Sequence, residues 1–239
     1  SYLATPSITA AMTSLSRGYS TFVSTPGTSQ GSSDGLYRLP LMAAAMGLGY
    51  NSSLFSNHSA TNTLILNSAT MAAIWTGDLV YWNDSRIAAL NPWLGLPVGQ
   101  ELTLVYCDDL LGEGDVLARY LANISSTLAA QLSAPGNFSN LAPVLSGRAV
   151  AACTPAEKVT ALAQPNMAAS LVPMMLPDLT AVALVSARMR NAAGVAIAPS
   201  TASVTQALTL SQASLNLINL GGTAWPLSTM VFAVVQTQL

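Results

Sequence analysis

Charge is the scarcest ingredient of this chain: of 239 residues, 8 are Lys or Arg and 10 are Asp or Glu, for a formal net charge of −2. A protein that tracks phosphates along a nucleic acid needs cations gathered on one face, and no basic stripe exists here, so DNA and RNA are not expected partners. Histidine occurs once, as His58 inside "NHS", where an exposed loop position is expected and no sequence partner would make it a general base. H-E-x-x-H and P-loop motifs are missing, as is any CxxC or Cys/His cluster. The expectation is a protein that is not an enzyme and carries no resident cofactor. The longest apolar runs, "LPLMAAAMGLGY" (39–50) and "SLVPMML" (170–176), fall short of the about 18 residues that a bilayer-spanning helix requires, so no membrane insertion is expected. The opening "SYLATPS" has neither an initiator Met nor a signal-like run, which points to a processed or excised piece of a longer protein.

What the chain has in quantity is apolar surface, 51% of residues, enough to bury the core of one large domain or two lobes. It also has five Asn-x-Ser/Thr sequons, at Asn51, Asn57, Asn83, Asn123 and Asn137. That motif accepts N-glycans in the secretory pathway, so an extracellular or cell-surface protein is expected. In an oxidising compartment the two cysteines, Cys107 and Cys153, would close one long loop as a disulfide; two buried free thiols are the alternative that sequence leaves open.

The few carboxylates are unevenly spread. "VYCDDLLGEGDV" (105–116) gathers Asp108, Asp109, Glu113 and Asp115. A strand is expected at 102–107 and a helix over 115–132, with Val116, Leu117, Tyr120, Leu121 and Ile124 on one stripe, so the acids sit at a strand-to-helix turn. Carboxylates in a first helical turn are stabilised by about 0.3–1 kcal/mol each. Asp108 and Asp109 precede that turn, however, and four like charges in one loop repel unless a positive charge from elsewhere compensates them.

Further elements follow from pattern: a helix at 7–18, an exposed loop at 24–35 able to cradle a ligand, and a buried parallel strand at 39–50. Helices are expected at 68–77 and in "NDSRIAAL", the latter stopped by Asn91-Pro92. Beyond residue 132, apolar helices alternate with short strands, ending in "STMVFAVVQ". Such alternation argues for α/β layers with helical crossovers.

The segment "TMAAIWTGDLVYWNDSRIAALNPWLGLPVGQELTLVYCDD" resembles the region of bacterial phosphate-binding proteins, the solute receptors of phosphate ABC transporters, in which a W-N-D-x-x-I-x-x-L-N-P stretch leads to a strand ending in an anion-binding loop. "SSDGLYRLPLMAAAMGLGYN", "RNAAGVAIAPSTASVTQAL" and "AWPLSTMVFAVV" resemble further elements of that family, so the likeness covers roughly 28–236. It implies a two-lobed type 2 periplasmic-binding-protein fold, with mixed, mostly parallel sheets and a ligand cleft between lobes. One lobe would comprise 1–50 plus 172–239 and the other 51–171.

The departures from the family's pattern bear on function. The family's loop presents Arg, Ser and Thr as donors to its anion; here Cys107 stands at the Arg, Asp108 at the Ser, Leu110 and Leu111 at two flexible positions and Glu113 at the first Thr, while Asp109 and Gly112 keep the pattern. Ser33 and Asp34 stand where the family has its "SD". Phosphate binding in the family's manner is therefore not expected, because acceptors have replaced donors. The candidate ligand-binding set is Ser33, Asp34, Cys107, Asp108, Asp109, Gly112 and Glu113. It would suit a cation: Ca²⁺ through carboxylate oxygens, or an amine with Tyr106 or a Trp as its aromatic face. The expected function is an extracellular, non-catalytic, solute-binding-like sensory domain of a receptor. The alternative is a ligand-free structural or protein-interaction domain of a surface glycoprotein on the same scaffold.

Overall fold

The run at 39–50 lies within a 15-residue strand, β2 (Leu36–Tyr50), around which the larger sheet is organised. The structure is a computed structural model that describes residues 22–27, 36–108, 112–132, 138–145, 147–191, 193–211 and 216–236. The helix expected at 7–18 lies outside the described residues, as do Ser33, Asp34, Asp109, Leu110, Leu111 and Asn137.

The first half of β2 pairs antiparallel with β10 (Ser228–Gln236), which in turn pairs antiparallel with β1 (Phe22–Gly27). Its second half pairs antiparallel with β6 (Ser170–Met175) and with the two-residue β7 (Val185–Ser186). β4 (Thr103–Tyr106) lies parallel to both β6 and β5 (Ala149–Ala151), giving the order β1-β10-β2-β6-β4-β5 with β7 beside β2. A smaller sheet joins β3 (Ile65–Asn67), parallel to β8 (Arg188–Arg190), which is antiparallel to β9 (Ala196–Ile197). The sheets are mixed, as expected, but among the described pairings antiparallel contacts outnumber parallel ones.

Three expectations are corrected. β2 is antiparallel to every strand it meets, and Leu39, Leu41 and Met42 in its first half are exposed; an apolar run reveals strand length and leaves partner direction undetermined. Residues 24–27, expected as loop from their Ser, Thr, Pro and Gly, belong to β1, where pairing with β10 overrides local preference. The helix expected over 115–132 is two helices, α3 (Glu113–Ile124) and α4 (Ser126–Leu132), because Ser125 is extended and its hydroxyl accepts from Leu128 N at 3.3 Å.

Other elements match their sequence signals. α1 (Ser68–Trp75) begins on a capping box between Asn67 and Thr70, and α2 (Ser85–Leu90) on Asp84, whose carboxylate accepts from Arg86 N. Bonding to the Arg86 side chain, above all, holds the Asp84 carboxyl below the usual range. Alternate residues of β4 and β6 enter different clusters: Leu104, Tyr106 and Leu171 join the main core with Trp75, Trp82 and Trp225, whereas Val105, Val172 and Met174 pack with Ala161 and Leu179 on the other face. Gly47 and Gly49 let α7 (Leu176–Ala181) lie close on β2, since a Cβ at either would collide with the Leu179 side chain.

Much of the motif that carried the resemblance performs scaffold work. Trp82 Nε1 donates to Ala169 O at 2.9 Å and Trp225 Nε1 to Met46 O at 2.8 Å. The buried Asn91 side chain accepts from Ile65 N (2.7 Å) and donates to Ile65 O (2.8 Å) and Ile87 O (2.9 Å), clamping α2 to β3. Asn191 bonds Gly222 O and Ala224 O through its amide nitrogen and takes Ala193 N and Val195 N on its oxygen. Ser200 and Ser203 form the capping box of α8 (Thr201–Leu210).

Asn91→Ala should destabilise the protein by about 2–4 kcal/mol in urea unfolding at unchanged m-value, because buried backbone groups of β3 lose their partners. A second outcome concerns Tyr120 on α3, whose phenol burial pushes up to about 12, opposed by the bond to Ser68. The folded-state value lies above the unfolded one, so the stabilisation is complete below about pH 10 and is lost as pH rises toward the folded value, by up to about 3 kcal/mol. Tyr120→Phe should flatten this alkaline decline in denaturation measured across that window.

Candidate functional site

β4 ends at the loop in which the acidic residues lie, and the chain then enters α3 through Gly112, whose buried backbone precedes the first helical turn. Cys107, at the strand's end, is bonded to Cys153 across 46 residues, so the open choice between a disulfide and free thiols resolves to the disulfide. It fastens β4 to the start of α6 (Pro155–Leu162). That helix begins on a capping box in which Thr154 Oγ1 accepts from Glu157 N, while Glu157 Oε2 accepts from Cys153 N (2.8 Å) and Thr154 N (3.0 Å). Those backbone donors, Thr154 first, lower the Glu157 pKa.

The next residue points the other way. Lys158 is 1% exposed, and its ammonium donates to Glu113 Oε2 and, at 3.0 Å, to Pro173 O. Glu113 Oε1 accepts from Met175 N at 2.6 Å. One carboxylate thus joins the first turn of α3, the inner face of α6 and the end of β6. Breaking such a buried pair by removing one partner costs about 3–5 kcal/mol, because the remaining charge is left uncompensated.

The described members of the acidic cluster do not converge. Asp108, exposed, accepts from Phe138 N at 3.0 Å. Asp115, buried in the first turn of α3, accepts from Arg119 Nε at 3.0 Å in an i,i+4 pair. Glu113 faces Lys158. Their closeness in sequence becomes three directions in space, and among the described residues no group of three or more His, Cys, Asp or Glu side chains is placed to hold a metal ion. Positive charge reaches the cluster from two cations, Arg119 beside Asp115 and Lys158 beside Glu113; the latter lies 45 residues further along, and its signal was a lone Lys on an otherwise small and apolar helix face.

Most of the aromatic candidates lie inward, Trp93 being exposed. Trp75, Trp82 and Trp225 are fully buried, and Tyr106 stacks at 5.1–6.1 Å against Phe138 and Trp75. Burial and then Asp108 raise the Tyr106 pKa. His58, expected to be exposed, is half-buried: its Nε2 lies 2.9 Å from Tyr50 Oη, which accepts from Leu64 N at 3.0 Å. Of the sequon residues, Asn57, Asn83 and Asn123 are exposed and Asn51 is partly covered, its amide oxygen capping a short turn. No helix among the described residues is long and apolar enough to cross a membrane.

The chain has the fold of the two-lobed phosphate-binding proteins. It superposes on the phosphate-binding protein of Stenotrophomonas maltophilia with a TM-score of 0.61 at 16% identity, over 98% of this chain and 71% of that one. An ancestral soluble variant of the human phosphate-binding protein gives 0.57 at 17% identity, over 89% and 66%. A phosphate ABC transporter substrate-binding protein of Clostridium perfringens, solved with bound phosphate, gives 0.56 at 14%, over 97% and 72%. By sequence, 119 residues are 33% identical to a protein of Acanthamoeba polyphaga mimivirus named as a candidate serine/threonine-protein kinase/receptor, spanning 48% of this chain and 7% of that protein. A second mimivirus protein of the same description is 34% identical over 106 residues, 44% of this chain and 6% of its own length. The chain therefore spans under a tenth of these curated relatives. No protein-family model matches it.

Cys107→Ser/Cys153→Ser should lower stability by about 4 kcal/mol in the chain-entropy view of a loop this long, read as a lower denaturation midpoint than that of the oxidised protein.

Proposed function

We propose that this chain is a non-catalytic, solute-binding-like sensory domain that acts outside the cell as part of a larger receptor and does not take phosphate in the manner of the proteins whose fold it shares. The carrying observation is the state of the loop after β4. Cys107, at the family's Arg position, is tied up in a disulfide. Glu113, at a Thr position, has its two oxygens engaged by Lys158 and Met175 N. An incoming dianion finds no donor on either side chain. The obstacle at Glu113 is occupancy more than bare repulsion, since Lys158 balances its charge.

Support for the setting comes from the disulfide, the exposed sequons and the receptor named among the relatives, of which this chain would be one extracellular module. The lobes would divide as 1–50 with 172–239, and 51–171. The partner in the cleft would be a small molecule or ion, and a protein partner at the cell surface would read the outcome. Catalysis is not part of the proposal: the single histidine is engaged with a buried tyrosine.

A second reading is favoured by one specific observation. Asp108, Glu113 and Asp115 each have an internal partner, as in a ligand-free structural or interaction domain.

Thermal unfolding against phosphate, sulfate, Ca²⁺, spermidine and amino acids at fixed ionic strength separates these readings. A ligand at a hundredfold its Kd stabilises by about 2.7 kcal/mol, roughly 5–10 °C for a chain of this size. The sensory reading expects a shift with a solute other than phosphate. A phosphate shift would overturn the loop argument, and no shift with any solute would favour the structural domain.

A further inference from the structure

A buried ammonium needs an anion, and in this protein the anion comes from the chain itself. Lys158 is 1% exposed and Glu113 13% exposed on their side chains, so the pair is withdrawn from water, with the carboxylate on the more accessible side. The carboxylate is held at two points, the Lys158 ammonium and the Met175 N–H, on separate elements that approach each other only in the folded chain. Pro173 O holds Lys158 from behind, fixing its ammonium toward Glu113. A fixed ammonium and a backbone N–H aimed at the two oxygens of one carboxylate are the donors with which proteins grip a free carboxylate or phosphate group.

We infer that Lys158 Nζ and Met175 N–H form an oxyanion-binding site whose resident occupant is the Glu113 carboxylate. Tethering explains the full occupancy: a side chain on the adjoining helix turn is present at high effective concentration, so free anions at ordinary levels do not displace it. The site opens to solute only when the Glu113 arm withdraws. The inference concerns the unliganded domain and stands apart from the sensory reading: phosphate binding by the natural protein would contradict that reading, whereas anion binding by a variant lacking the arm tests the site alone.

The test removes the arm and supplies the anion. Glu113→Ala should lower Tm by about 10 °C, as expected for an uncompensated buried charge in a chain of this length. Formate, acetate or phosphate replacing chloride at constant ionic strength should restore several degrees to this variant and leave the natural protein unmoved. Glu113→Gln, which fills the space without the charge, should be destabilised and respond weakly. Glu113→Ala/Lys158→Met should not respond. The three anions distinguish a carboxylate-selective site from one that also accepts phosphate. Should Glu113→Ala be unfolded in chloride buffer, the return of native circular dichroism on adding formate becomes the readout. The inference is overturned if no oxyanion stabilises or refolds Glu113→Ala beyond the effect of chloride, or if the double variant responds equally.

Discussion

The ammonium of Lys158 has to be neutralised inside the protein, and meeting that requirement fixes the parts around the loop after β4. Glu113 must begin α3 within reach of α6; β6 must end where Met175 N meets the same carboxylate; and Pro173 O must back the lysine. The Cys107–Cys153 bond holds the start of α6 to β4 and so keeps Lys158 opposite Glu113. In a chain with so few charges, a buried pair of this kind carries a large share of the specificity of local packing, because the alternative placements leave a charge in apolar surroundings.

The side chains that match the phosphate-binding proteins divide by the work they do. Trp82, Asn91, Asn191, Ser200 and Trp225 satisfy buried backbone groups or cap helices, which the fold needs whatever the cleft holds. Cys107, Asp108 and Glu113, where the resemblance breaks, make bonds within the chain. A likeness in fold does not by itself carry a ligand with it.

Much of the fold was legible because its signals are local. The apolar stripe of α3, the capped start of α2 and its stop at Asn91-Pro92, and the strand before Cys107 depend on period and turn chemistry within a few residues. What escaped was non-local. β1 exists because β10 lies beside it, over 200 residues away in sequence, and the direction of β2's partners is absent from its own composition. The candidate site was half legible: the crowding of carboxylates correctly signalled a missing positive charge, but nothing near residue 113 says that its donor is Lys158. Nor could sequence spacing show that Asp108, Glu113 and Asp115 point apart, since strand end, first helical residue and third helical residue aim side chains differently.

The pairing of β1 with β10 sets Phe22 against Val235 at one edge of the sheet. These two residues therefore lie at a single corner of the sheet. Tension applied between those two points falls on the outermost rung of an antiparallel ladder and opens it rung by rung, as a zipper opens, with no shearing of all the rungs at once.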